Sequence, residues 1–312
     1  MNANQREQLA ELAFRDLYLA EDWIDIRTLD TLKREAVTKN HASHGALRAL
    51  YQMCHGQYQA QGPEFALDMA THSYRVTVLE SIGGGSPIFV LRRREVSIRD
   101  FEQLPIPRPV KERVLELQRG LILIVGSSGH GKTSTLVSLL ARRLSLHGDI
   151  ALAVEDPTET LLDGLHESGR CIQIATSRDV GYREPLLRAL RAGIDQIMVG
   201  EIRDSETARQ VVEASINGHL ILSTLHAGTP ADAVERLATL TANDRAYRLL
   251  AEGLGVVAHQ RLSIDGGGQV QVSFKTLVID DKVKQLIRAE RIGDLMNEVD
   301  RQAQQYRLGG GA

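Results

Sequence analysis

Apolar residues recur with two different periods along this chain. The first hundred residues are mixed. An amphipathic start runs from Arg6 to Leu19, and Leu29–Arg34 reads as a helical stretch. In Gly45–Cys54 the positions Leu47, Leu50, Tyr51 and Cys54 fall on one helical face. The period then drops to two: Glu64–Met69, Tyr74–Leu79 and Ser86–Leu91 read as strands, with Gly83–Gly85 as the turn between the last two. Beyond residue 120 short apolar runs alternate with amphipathic segments. Strands are predicted at 121–125, 150–154, 196–199 and 220–224, and helices at 111–119, 133–147, 182–191 and 205–217. Pro230–Asn297 is expected to be largely helical, broken by a hairpin made of Val256–Leu262, Gly266–Gly268 and Val270–Phe274. Strands that are apolar throughout, set between amphipathic helices, predict a mostly parallel sheet covered on both faces.

The domain organisation follows from this pattern. Residues 1–104 form a small α/β domain. Residues 105–110, with Pro105, Pro107 and Pro109, form a stiff extended linker. Residues 111–308 form an α/β domain with a helical C-terminal part, and 309–312 form a flexible tail.

Composition adds three constraints. The 312 residues carry a net charge of −3, which argues against a protein built mainly to neutralise a nucleic-acid backbone. Aromatics make up 4%, so the core rests on aliphatic side chains. Cys54 and Cys171 lie far apart and fit no zinc spacing, so both are expected as free thiols in a reducing, cytoplasmic setting. No apolar run approaches 18 residues, so membrane contact is expected only through a partner.

The chemistry begins where the apolar run Leu121–Val125 meets Gly126-Ser127-Ser128-Gly129-His130-Gly131-Lys132-Thr133, followed by Ser134 and a predicted helix. A strand, a glycine-rich turn with Lys-Thr and a helix together make a phosphate-binding loop. Gly126 and Gly131 let the backbone curl so that its amides face phosphate oxygens. The helix adds its positive end. Lys132 supplies a cation to the β- and γ-phosphates of ATP, and Thr133 a hydroxyl to Mg2+.

Acidic groups stand where later strands end. Ile150–Val154 runs into Glu155 and Asp156, with Glu159 beyond Pro157. Ligands of parallel sheets sit past the strands' carboxyl ends, which puts these acids beside Mg2+ and the attacking water, with Asp156 acting on the metal through water. Gln196–Val199 leads through Gly200 to Glu201, a candidate general base; a structural ion pair with Arg203 is the competing reading. His219 and His226 bracket the strand at 220–224. His226 is placed to sense the γ-phosphate or orient Glu201, and His219 is carried as a further catalytic candidate.

These motifs resemble, in order, those of the secretion and type IV pilus ATPases. Gly126–Thr133 resembles their Walker A motif, and Glu155–Glu159 their acidic box. Met198–Ala208 resembles their atypical Walker B motif, and Gly218–His226 their histidine box. Phe14–Leu19 and Val283–Glu290 carry a weaker likeness. The resemblance implies a small PAS-like N-terminal α/β domain followed by a RecA-like P-loop ATPase domain. It implies a homo-hexamer hydrolysing ATP with Mg2+ at the inner membrane, held there by a platform protein, with no direct nucleic-acid contact. It also implies arginines reaching the nucleotide from the N-terminal domain; Arg75 and Arg92 match, with Arg93 and Arg94 adjacent. The chain departs at His130, where a small residue is usual, and at Ile194, where the family has Pro. The lack of a four-cysteine segment and of a long N-terminal extension points to a retraction-type or type IVB-secretion-type motor. Two alternatives remain: an accessory hexamer that binds nucleotide without turnover, and a RecA-like nucleic-acid translocase.

Overall fold

The computed structural model describes residues 1–12, 14, 16–27, 34–69, 73–80, 85–94, 97–156, 158, 160–176, 181–264 and 270–309. It divides into two compact units, Met1–Ser97 with Thr158–Leu161, and Ile98–Pro157 with Leu162–Ala312.

The first unit contains α1 (Ala3–Glu11), β1 (Asp16–Leu19), β2 (Ile24–Arg27), β3 (Arg34–Ala36), α2 (His44–Gln61), β4 (Glu64–Asp68), β5 (Ser73–Leu79) and β6 (Ile88–Arg94). Its strands form an antiparallel sheet in the order β3-β2-β1-β6-β5-β4. One sheet face packs on α2, where the expected stripe Leu47, Leu50, Tyr51 and Cys54 is buried against Leu17, Leu19, Phe89 and Leu91. The amphipathic start is split in two. The helix ends at Glu11, and Asp16–Leu19 is a strand because Leu17 and Leu19 alternate with Asp16 and Tyr18 and pair with β2 and β6. The helical stretch expected at 29–34 lies outside the described residues except Arg34, which opens β3. Gly83 and Gly84 lie outside them as well.

The second unit contains α3 (Arg108–Glu116), β7 (Gly120–Val125), α4 (Lys132–His147), β8 (Ile150–Glu155), β9 (Gly164–His166), β10 (Gly169–Ala175), α5 (Arg183–Arg191), β11 (Gln196–Val199), α6 (Ser205–Ile216), β12 (Leu220–Leu225), α7 (Pro230–Thr241), α8 (Ala246–Gly253), β13 (Leu254–Ile264), β14 (Val270–Val278), α9 (Asp281–Arg288) and α10 (Leu295–Gly309). The sheet order is β14-β13-β7-β12-β11-β8-β10-β9. The strands from β13 to β10 are parallel, and β14 and β9 add antiparallel edges. β7 shows why its sequence is apolar throughout. Leu121, Leu123 and Val125 belong to the layer of α5 to α8, and Ile122 and Ile124 to the layer of α3 and α4. Each such burial contributes about 1.5–3 kcal/mol. The expected hairpin exists and extends the main sheet, with β13 lying directly beside β7; its turn glycines lie outside the described residues. Gly309 closes α10, and 310–312 lie outside the described residues.

The proline-rich segment packs into the second unit. Phe101, Ile106 and Val110 share a core with Leu136 and Leu140 of α4, and the unit starts at Ile98. α4 also grips this segment with polar groups. Ser138 donates to Arg99 O at 2.6 Å. Arg143, 1% exposed, donates to the carbonyls of Val114 and Leu115 at 2.6 Å and of Leu117 at 2.8 Å, and to Gln196 Oε1 at 2.7 Å. A guanidinium thus caps the end of α3, where carbonyls lack helical partners. Burial pulls the Arg143 pKa down to about 10. Cys54 and Cys171 are both buried, one in each unit, and burial pushes each thiol up to about 12. Among the described residues no helix is long and apolar enough to cross a membrane.

Candidate nucleotide site

The sheet register assembles the site. Near the carboxyl ends of β7, β12, β11 and β8, Val125 pairs with Leu225, and Val199 pairs with Ser223 on one side and Val154 on the other. The residues that follow them form one edge: Gly126 after β7, His226 after β12, Gly200 and Glu201 after β11, and Glu155 with Asp156 at the end of β8. Backbone bonds continue the ladder past the strands, from Gly126 N to Leu225 O at 3.4 Å, Gly200 N to Val154 O at 2.9 Å and Ile202 N to Thr224 O at 2.9 Å. Thr224 Oγ1 donates to Gly200 O and Ser223 Oγ to Val199 O, both at 2.7 Å, pinning the turn that carries Glu201.

The glycine-rich loop takes the expected form. Gly126 has φ +148, and a Cβ there would lie 2.4 Å from Gln260 O. Gly131 has φ +76 and caps α4, where an L side chain is unfavourable. Ser127, Ser128 and Gly129 are exposed, and His130, Thr133 and Ser134 are half-buried. Lys132 is 8% exposed, and its Nζ lies across the loop, donating to Ser127 O at 3.0 Å. A curled loop, a helix start and a lysine are elements that can together hold an anion of phosphate type.

Beside the loop, Glu201 is engaged on both oxygens. His226 Nε2 lies 2.9 Å from Oε1, and Arg203 Nε donates to Oε2 at 2.9 Å. Arg203 also lies 3.9 Å from Asp156 Oδ2. The ion pair with Arg203 is thus present, and Glu201 also stands at the sheet edge with His226 against its other oxygen. Glu155 is 1% exposed, and its Oε1 accepts from Gln173 Nε2 at 2.7 Å.

Three residues near the site escaped the sequence reading. Gln173 reaches Glu155 from β10. Tyr182, at the start of α5, is buried, and burial pushes its phenol up to about 12; Arg203, Asp156, Glu155 and Glu201 all act on it. Gln260, on β13, braces the loop. None lies in a glycine-rich or acidic motif. The one usable signal was polarity at a buried register position, as for Gln260 in β13.

His219 precedes β12, at the end opposite His226, where Gly120 N bonds its carbonyl at 3.0 Å. A strand of this length sets the two histidines roughly 20 Å apart. His219 instead lines a cavity of about 450 Å³ with Arg183, Leu187, Glu206 and Gln210. Arg75 and Arg92 belong to the first unit, as direct cross-strand partners on β5 and β6. Arg92 Nε lies 2.7 Å from Asp16 Oδ1, and Arg75 lies 4.0 Å from Glu64. Glu159 lies outside the described residues.

Known proteins are similar to this chain in sequence and in fold. The family described as "Type II/IV secretion system protein" matches residues 61–304. The type IV pilus retraction ATPase PilT of Pseudomonas aeruginosa is 31% identical over 232 residues, 72% of this chain and 65% of PilT. The putative type II secretion system protein E of Escherichia coli is 36% identical over 191 residues, 60% of this chain and 37% of that protein. The chain thus spans less than two thirds of these relatives. Among solved structures, the pilus retraction motor PilT with bound ADP superposes with a TM-score of 0.81 at 23% identity, covering 95% of this chain and 89% of that one. The Legionella pneumophila ATPase DotB gives 0.74 at 19%, covering 97% and 87%. The fold expected from the sequence, a small α/β unit followed by a RecA-like unit, is the fold of these structures. With the family match covering most of its length, the chain belongs to the type II/IV secretion system protein family.

Proposed function

We propose that this chain is the subunit of a ring-shaped ATPase motor that drives a type IV pilus of retraction type, or a related secretion or conjugation machine. The observation that carries the reading is the Glu201–His226 contact at 2.9 Å, one strand away from the phosphate loop. A carboxylate held at that edge can take a proton from water attacking a phosphate gripped by the loop amides and Lys132. His226 and Arg203 fix its direction. The PilT and DotB likenesses support a motor of this kind. In a homo-hexamer, Arg75 and Arg92 would serve a neighbour's nucleotide as arginine fingers. A platform protein would hold the ring at the cytoplasmic face of the inner membrane.

Mg2+ suits the donors present. The Thr133 hydroxyl and the Asp156 carboxylate are hard oxygen ligands at this edge, and magnesium prefers few protein ligands plus phosphate oxygens. When bound it would neutralise phosphate charge. Thr133 would hold it directly and Asp156 through water.

The test is phosphate release by purified protein with ATP and Mg2+, with light scattering for the assembly state. Sustained turnover by a six-subunit ring is expected. No phosphate release across a Mg2+ and temperature series would favour an accessory ring that only binds nucleotide. Turnover that appears only with DNA would favour a translocase.

A further inference from the structure

Gln260 is 3% exposed and lies one position beyond the His259–Val125 pair, level with the first residue of the phosphate loop. Its Nε2 donates to His130 O at 2.7 Å, and His130 Nδ1 lies 3.4 Å from Gln260 O. Its backbone closes off Gly126, and its side-chain nitrogen would lie 3.1 Å from a Cβ at Gly131. One residue on a neighbouring strand therefore meets the loop at both ends, with its backbone at Gly126 and its side chain at Gly131 and His130.

The bond to His130 O has a directional consequence. A trans peptide is planar, and its C=O and following N–H point opposite ways. Drawing the His130 carbonyl toward β13 turns the Gly131 N–H away from β13. A glycine at 131 offers little resistance to rotation of that peptide, so an external tie is needed. Lys132 does the same for the preceding turn by holding Ser127 O at 3.0 Å. We propose that Gln260 is a positioning residue of the phosphate loop: its amide locks the His130–Gly131 peptide so that the Gly131 N–H is presented to the nucleotide's phosphates. This rests on the nucleotide reading of the loop.

The test is Gln260→Met, which keeps length and removes the donor. It also removes Gln260 Oε1, a buried acceptor without a partner among the described residues, which offsets the cost of leaving His130 O without this donor, so the fold is expected to keep its stability. Affinity for a fluorescent ADP should fall about 10- to 100-fold, as for loss of one charge-assisted hydrogen bond. Affinity for adenosine and the ligand-free melting temperature should hold. Unchanged ADP affinity, or an ADP loss matched by an equal loss for adenosine or by a lower melting temperature, overturns the proposal. If Q260M fails to fold, Q260E serves: same shape, no donor at neutral pH, and a donor again once protonated, so ADP affinity should recover on acidification. Lys132→Ala separates the two ideas. If it binds ADP normally, the loop reading itself fails; if it loses ADP while both Gln260 variants keep it, only the role of Gln260 falls.

Discussion

Exchange of Glu201 for Gln is expected to cut ATP turnover by about 10²- to 10⁴-fold while nucleotide binding holds, the usual loss when a positioned base is removed. The substitution is nearly isosteric. The new amide oxygen can still accept from either His226 or Arg203, so the turn pinned by Thr224 and Ser223 should keep its course. What disappears is the proton acceptor. The phosphate loop follows β7 and Glu201 follows β11, with β12 between the two strands, so binding and turnover should separate cleanly. Coupled phosphate release and fluorescent-nucleotide titration measure the two. Turnover within about threefold of the unaltered protein would remove Glu201 as the base. A parallel collapse of nucleotide binding would make it a structural support for the edge.

Replacing Arg143 by Met should lower the melting temperature by on the order of 10 °C. The guanidinium satisfies three carbonyls and Gln196 Oε1 in a region sealed from water. Each acceptor left bare costs about 1–3 kcal/mol. Relief of a buried charge offsets part of this, leaving about 3–5 kcal/mol, the range for breaking a buried ionic network. In a unit of some two hundred residues each kcal/mol moves the midpoint by about 2–4 °C. Arg143→Lys should fall between, since one ammonium cannot span four acceptors. Differential scanning calorimetry reads the effect, and a shift below about 2 °C would mean that water or a rearranged Gln196 replaces the lost donors.

The sequence was most legible where one residue class filled a whole element. Leu121–Val125 is apolar because both faces of β7 are covered, and the same reason exposed β8, β11 and β12. Motifs at their carboxyl ends then fell into place by strand direction alone. Short strands with mixed faces stayed hidden. Arg34–Ala36 is exposed at all three positions, and Gly169–Ala175 alternates buried Cys171 with exposed Arg170 and Ile172. Neither carries an apolar period, so pairing with neighbours makes them strands. His219 and His226 bracket β12 as the sequence shows, and the length of that strand carries His219 to the end opposite His226. Gln173 and Gln260 reach the site from other strands of the sheet and Tyr182 from the start of α5, placements that no local motif reports.

The bond between Gln260 and His130 spans 130 residues of chain. A growing polypeptide leaves the ribosome from its amino end, so β7 and the glycine-rich turn emerge well before β13 exists to support them. Contacts this far apart form late and slow a protein's maturation. Shortened products ending ahead of β13 should carry every glycine of the turn and still hold no nucleotide. On the proposed reading, competence for ATP would wait until the hairpin of β13 and β14 lies beside β7.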